Sequence, residues 1–148
     1  MFDKLAKSQG KDYFGPNTLP ESEILNQIGV VSTSGDWQNF INAANRTFVE
    51  SVEQYGVSTG RDRYFWLDIK SKLPRLWHAL QRIKLYRNEE MHLVLKGSVI
   101  VAYNEYLSQD LGGAPITSLG GDVYFMLQQG VLDGLLNALQ IETARAGG

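Results

Sequence analysis

Apolar residues recur at intervals of three and four positions in four stretches of this chain, and this spacing constrains the fold more than any other feature. It places the apolar side chains on one face of an α-helix, where they can be buried together. The alternation that is typical of β-strands is scarce. We therefore expect an all-α protein, an up-down bundle of four main antiparallel helices joined by short loops. The four stretches are Trp37 to Tyr55, Pro74 to Tyr86, Met91 to Tyr106 and Tyr124 to Leu139.

Residues that favour helix ends suggest where these helices begin and stop. Asp36 is a good cap for the first long helix, and Gly56 is expected to close it. Asp62 can cap a further helix that runs toward Pro74, where the missing backbone donor predicts a kink or a restart. Gly97 is expected to bend the helix that begins near residue 91.

A length of 148 residues is that of one domain with one hydrophobic core. Residues 1–20 contain glycines and prolines without a sustained period, and we expect a flexible lead-in there. Residues 21–145 are predicted to form the helical domain, beginning with a short helix over residues 21–28. Residues 146–148 are expected to be a tail.

The composition excludes several classes of protein. Hydrophobic residues make up 43% and charged residues 20% of the chain, values that are ordinary for globular proteins. No apolar run approaches the roughly twenty residues of a membrane-spanning helix, so we expect a soluble, cytoplasmic protein. The absence of cysteine excludes disulfides, thiolate zinc sites and a cysteine nucleophile. With only two histidines as well, we expect no metal and no cofactor.

Positive charge is concentrated in one segment of an acidic chain. The net charge is −2, yet residues 61–87 carry eight basic side chains against two acidic ones. Such a segment can supply a local surface for phosphate. The alternative is a solvated helix face, which is the more common role of a run of charges.

The hexapeptide Arg-Asn-Glu-Glu-Met-His, residues 87–92, lies between two predicted helices. On a continuous helix, five residues rotate two side chains by about 140° relative to each other, so Arg87 and His92 would diverge. We therefore predict a break at Arg87, with Asn88 as the cap of the next helix. The arginine side chain can then fold back toward His92, one turn inside that helix.

The predicted break also suggests a chemistry. The positive end of a helix favours phosphate and disfavours the charged form of a histidine. A neutral histidine and a fixed arginine can cleave an RNA phosphodiester without a metal, because the base takes the 2′-hydroxyl proton and the cation stabilises the phosphorane. Glu89 and Glu90 would repel such a substrate, so both are expected to point away. Alternatively, they are ordinary acids of a helix's first turn.

The hexapeptide resembles the motif of the HEPN superfamily. This motif consists of an arginine, a polar residue, three further residues and a histidine, and it lies between the two central helices of a bundle. The resemblance implies a metal-independent endoribonuclease of a toxin–antitoxin or antiviral defence system. It further implies a homodimer whose two copies of Arg87 and His92 line one cleft as catalytic residues, supported by Asn88. The alternative that it implies is a non-catalytic module for dimerisation, RNA binding or sensing. An antitoxin, or further domains of a larger protein, are then the expected partners besides RNA.

Residues outside the hexapeptide are candidates for contacting RNA. His78 shares a helix face with two arginines, although an exposed structural histidine is the more common role. A tyrosine directly before the hexapeptide either lines the cleft or packs beneath it. These candidates are Arg75, His78, Arg82, Lys84 and Tyr86.

Two apolar clusters have alternative roles. The aromatic run from Tyr64 to Trp66 can stack on bases, but consecutive aromatics point around a helix, and most of them are expected in the core. In the last predicted helix, Phe125, Leu132 and Leu136 broaden the apolar face. A face of this width suggests burial against more than one neighbour, including a second subunit.

Overall fold

The computed structural model describes residues 22–91, 95–115, 119–120 and 122–147. These residues form helices and turns, and no strand occurs among them. The predicted all-α class is confirmed. None of the described helices is both long enough and apolar enough to cross a membrane.

Two π-helical turns interrupt the otherwise α-helical chain. The first spans Asn45–Glu50 and the second spans Phe65–Ile69. The helices in chain order are α1 (Ser22–Gln27), α2 (Ser34–Ala44), α3 (Ser51–Ser58), α4 (Lys70–Lys72), α5 (Pro74–Glu90), α6 (Ser98–Asp110) and α7 (Asp122–Gly147).

Helix α5 is the centre of the fold, because it packs against α2, α6, α7 and both π-helical turns. Its predicted apolar face is buried. Burial of large aliphatic side chains stabilises the fold by about 1.5–3 kcal/mol each. The members of this face are Leu76, Trp77, Leu80 and Ile83.

The first long helix begins earlier than predicted. Thr33 has the extended backbone of a cap, and its Oγ1 accepts a hydrogen bond from the backbone N of Asp36 at 3.1 Å. Asp36 is therefore in the first turn of α2 instead of capping it. Both residue types cap well, and the backbone conformation of Thr33 decides between them.

The prediction that Gly56 ends this helix is wrong. The helix continues to Ser58, with Gly56 buried inside it. A Cβ at Gly56 would lie 2.3 Å from the Cβ of Tyr64. The glycine therefore permits a close approach of the two segments, and its conformational freedom is not needed.

The segment before α5 also differs from its prediction. Asp62 does not cap it: Tyr64 occupies the cap position, and no described side chain caps the turn at Phe65–Ile69. Arg63 instead turns the chain with a positive φ of 53°. Pro74 is the first residue of α5, so the predicted restart is confirmed.

The third predicted helix begins later than expected. Residues 92–94 lie outside the described residues, and α6 begins at Ser98. Gly97 precedes it with a φ of 58°, a conformation that favours glycine. It therefore leads into α6 and does not bend it.

The last helix is longer than predicted. Helix α7 contains 26 residues and extends through Gly147, so it includes part of the expected tail. The predicted lead-in, residues 1–20, lies outside the described residues.

Candidate functional site

The structure places Arg87 and Asn88 inside the last turn of α5, which continues without a break to Glu90. The backbone N of Met91 donates to the carbonyl of Arg87 at 3.0 Å, as expected for an uninterrupted helix. The predicted break at Arg87 and the capping role of Asn88 are therefore wrong. The sequence contains nothing in residues 87–90 that stops a helix, since arginine and glutamate both favour one. His92 lies outside the described residues.

The partial charge of the helix end at Arg87 is therefore opposite to the one that the sequence suggested. Arg87 and Asn88 lie at the carboxyl end of α5, where the unpaired carbonyls carry partial negative charge. The helix end itself therefore does not attract phosphate. A cation is favoured at this position, and Arg87 is the basic residue of the last turn.

Asn88 contacts the guanidinium of Arg87. The Nη1 atom of Arg87 donates to Oδ1 of Asn88 at 3.3 Å, and both side chains are half-buried. Among the residues that the structure describes, no acid forms an ion pair with Arg87. The positive charge of Arg87 is thus held in place by an amide that does not neutralise it.

Glu90 turns toward α2. Its Oε1 accepts from Nε1 of Trp37 at 3.0 Å, and its Oε2 accepts from Nε2 of Gln38 at 3.3 Å. Glu89 is exposed. Neither glutamate is in the first turn of a helix, because both belong to the last turn of α5.

The two glutamates nevertheless contribute negative potential on the α6 side. Burial, followed by the charges of Glu89 and Glu90, raises the pKa of Tyr103 to about 12. The ring of Tyr103 packs against that of Tyr86 with centroids 5.9 Å apart. Arg87 is therefore a cation within a partly acidic end of the bundle.

Three of the predicted RNA-contacting residues are engaged inside the protein. Tyr86 is 2% exposed and donates a short hydrogen bond to Asp110, so it packs beneath the surface. Nζ of Lys84 lies 2.6 Å from Oε1 of Glu53. Arg82 lies between α5, α6 and α7. These contacts engage Arg82, Lys84 and Tyr86 within the protein, and their contact with RNA stays a prediction.

Arg82 connects three helices. Its Nη1 donates to the carbonyl of Gly130 at 2.9 Å, its Nη2 donates to Oε1 of Gln109 at 2.8 Å, and its Nε lies 3.7 Å from Asp110. A Cβ at Gly134 would lie 2.2 Å from Nη1 of Arg82. Because Gly134 has no side chain, the guanidinium of Arg82 can occupy this position.

Arg75 and His78 remain exposed on α5. Nδ1 of His78 lies 3.3 Å from the hydroxyl of Tyr106, which donates to Oε1 of the buried Gln81 at 2.6 Å. The sequence did not point to Tyr106 as part of a site. No local signal could have found it, because it lies 28 residues from His78 and meets it only through packing of α6 on α5.

The aromatic run is mostly core, as expected. Tyr64 and Phe65 are each 3% exposed, and Trp66 is half-buried against the ring of Trp77. Within the described ranges, no group of three or more His, Asp or Glu side chains is arranged to hold a metal.

Comparison with known proteins yields no match to a protein-family model, to a curated protein or to a solved structure. The resemblance to the HEPN superfamily therefore rests on the hexapeptide and on its place at the carboxyl end of the central helix.

Proposed function

We propose that this chain is a HEPN-type, metal-independent endoribonuclease that acts through Arg87 and His92. The observation that carries the proposal is the environment of Arg87: a half-buried guanidinium, held by the Asn88 amide and paired with no acid of the described residues. An arginine that is oriented but not neutralised keeps its charge for an anionic substrate.

The two residues would divide the chemistry of cleavage. His92, which follows the end of α5 by two positions, would take the proton of the 2′-hydroxyl as general base. Arg87 would stabilise the negative charge that develops on the phosphorane, which is the larger contribution in many enzymes. Asn88 would position the guanidinium. Glu90 accepts hydrogen bonds from two donors of α2, so its carboxylate is engaged within the subunit.

The proposal includes a homodimer with an up-down bundle in each subunit. An apolar stripe on α7 supports self-association, because Phe125, Leu132 and Leu136 are 46%, 41% and 48% exposed. They are separated by seven and four positions and so share one helix face. A two-fold axis across this face would pair it with itself.

The test is cleavage of mixed RNA by the purified protein in EDTA. We expect Arg87→Ala to lower the rate about 10²–10³-fold, as for loss of one stabiliser of developing charge. His92→Ala should lower it about 10²–10⁴-fold, as for loss of a general base. Arg46→Ala, which removes an exposed arginine from the first π-helical turn, is the matched control and should retain full activity.

Two results would refute the proposed ribonuclease activity. One is the absence of cleavage by the wild-type protein, and the other is cleavage that Arg87→Ala and His92→Ala leave unchanged.

A non-catalytic dimerisation module is the second candidate, and the exposed stripe on α7 favours it equally. It predicts a dimer that shows no cleavage. Replacing Leu132 by glutamate should then convert the dimer to a monomer, measured as mass in solution at micromolar concentration. A wild-type protein that is already monomeric under these conditions would exclude both this candidate and the composite cleft.

A further inference from the structure

A pocket of about 360 Å³ lies between the end of α3 and the chain that leads into the second π-helical turn. Its described lining includes no residue of the hexapeptide, so it shares no residue with the proposed cleavage site. Apolar, basic and acidic side chains meet in this pocket. They are Val57 and Trp66, Arg61 and Arg63, and Glu53 and Asp62, respectively.

Arg63 turns the chain with a left-handed backbone. Its φ of 53° is a conformation that favours glycine, and Gly60 adopts it in the same connection with a φ of 71°. The turn would form more easily with a glycine at position 63 as well. An arginine in this conformation therefore points to a use of its side chain.

Apolar side chains are exposed at and beside the pocket. Val57 is 80% exposed, Leu67 is 52% exposed, and Trp66 is half-buried. Trp66 and Leu67 belong to the second π-helical turn, an irregularity that is frequent at functional sites. An apolar surface that adjoins a cavity is typical of contact with another protein.

Positive charge surrounds this apolar surface. Residues 61–72 carry four basic side chains, all exposed, against two acidic ones. The ring of Tyr64 orients Arg61, whose Cζ lies 5.5 Å from the ring centroid. A guanidinium matches the planar fork of a carboxylate, so the charge favours an acidic partner.

A peptide fits this surface better than RNA does. The rings of Tyr64 and Phe65 are each 3% exposed, so neither can stack on a base. The carboxylates of Glu53 and Asp62 repel a chain of phosphates but can accept hydrogen bonds from peptide N–H groups. The surface thus combines an apolar seat with groups that bind both the backbone and the acids of a peptide.

We propose that this pocket is a docking site for an acidic segment of a partner protein. An apolar side chain of the segment packs between Val57 and Trp66, and its carboxylates pair with Arg61 and Arg63. Residues 1–20 of the chain itself do not have this chemistry, because three lysines and two aspartates give them a net charge of +1. The docking site requires neither RNA cleavage nor a homodimer.

Selection from a random peptide library displayed on phage tests the chemistry of the partner. The wild-type protein is the bait, and peptides that also bind the variant Arg63→Gly are removed. We expect the enriched peptides to be acidic and to contain an aliphatic or aromatic residue. Enrichment of neutral or basic peptides, or no enrichment at all, would overturn the proposal.

Variants assign the binding to the pocket, measured by fluorescence anisotropy with a synthetic copy of the most enriched peptide. Arg63→Gly should weaken binding about tenfold, as for loss of a hydrogen-bonded charge. Its melting temperature should not fall, since glycine adopts this φ without strain. Val57→Asp, which repels acids from a highly exposed position, should also weaken binding. Arg46→Ala should not change it. Equal binding by Arg63→Gly, Val57→Asp and the wild type would overturn the proposal.

Competition and mass in solution test the other occupants. Single-stranded RNA, or a peptide of residues 1–20, should not displace the selected peptide, and displacement by either would overturn the proposal. Conversion of a wild-type dimer to a monomer by Val57→Asp would also overturn it, because the surface would then join two copies of the chain. Arg87→Ala should bind the peptide as the wild type does, which distinguishes failure of the docking site from failure of the cleavage site.

Discussion

Arg82 and Arg87 are five residues apart on α5 and have opposite environments. The guanidinium of Arg82 contacts a carbonyl of α7, an amide of α6 and the carboxylate of Asp110, and its side chain is 13% exposed. Within the described part of the chain, the guanidinium of Arg87 hydrogen-bonds to the neighbouring Asn88 and forms no ion pair. One arginine joins helices together, and the other remains available to a ligand.

This difference shows that a basic segment in a sequence does not reveal which of its charges are free. The acid and the carbonyl that engage Arg82 lie 28 and 48 positions further along the chain. Removing each arginine in turn should therefore affect different properties, stability for Arg82 and activity for Arg87.

The largest effect on folding is expected for Arg82→Ala. It leaves the 5%-exposed carboxylate of Asp110 without its cation and should lower the free energy of unfolding by about 3 kcal/mol, the cost of breaking a buried pair. Arg87→Ala should change it by about 0.5 kcal/mol or less. Urea unfolding of both variants measures this contrast. Equal destabilisation by the two substitutions would contradict the comparison.

Gly134→Ala should lower the free energy of unfolding by about 1.5 kcal/mol, within the range for overpacking. The new methyl group would displace the Arg82 guanidinium from its hydrogen bonds to Gly130 and Gln109. Gly35→Ala in α2, where a Cβ would meet nothing within 4 Å, is the matched control and should be neutral or stabilising. If displacement of Arg82 causes this loss, Gly134→Ala should lower the free energy of unfolding by less in a protein that already carries Arg82→Ala.

Asn88→Asp gives Arg87 an acidic partner like that of Arg82. If cleavage depends on a charge that is not neutralised, the rate should fall roughly tenfold, a partial loss of the stabilisation that the free cation supplies. Asn88→Ala removes only the orienting amide and should have a smaller effect. Initial rates of RNA cleavage in EDTA measure both. An aspartate variant more active than the alanine variant would contradict the role given to Arg87.

The smallest effect is a dependence of stability on pH. Burial raises the pKa of Asp110, although the Tyr86 hydrogen bond and the Arg82 charge oppose this shift. An acid whose pKa is higher in the folded state binds its proton more tightly there, so its ionisation costs stability as the pH rises from about 4 through the raised pKa.

Unfolding of Asp110→Asn between pH 4 and 7 tests this sign. The variant should gain stability relative to the wild type as the pH rises, and the gain should then level off. Asp133→Asn, at an exposed position of α7, serves as the control. A gain that grows as the pH falls would show that the Arg82 charge outweighs burial at Asp110.

The sequence predicted the buried faces of the helices well. Trp37, Phe40 and Ile41 in α2, and Leu76 and Leu80 in α5, are all buried as their spacing indicates. Helix ends were predicted less well at Asp36, Gly56 and Asn88. Several residues at such positions have acceptable local chemistry, and the choice depends on contacts with distant segments.

The candidate site shows the same division. Its residue types were evident from the hexapeptide. The end of α5 was not, and neither was the hydrogen bond that Glu90 accepts from the indole of Trp37, which lies 53 positions earlier. That contact was beyond any local pattern. The sequence likewise gave no indication of the hydrogen bonds from Tyr86 to Asp110 and from Lys84 to Glu53.

By itself, the sequence determined that this protein is all-α and which faces of α2, α5 and α7 are buried, since both follow from residues three and four positions apart. The tertiary structure decided where α5 ends, which glycines admit a neighbouring side chain, and which cations remain free. The physical reason is that a charge is neutralised, and a helix end is stabilised, by whichever groups packing brings within hydrogen-bonding distance.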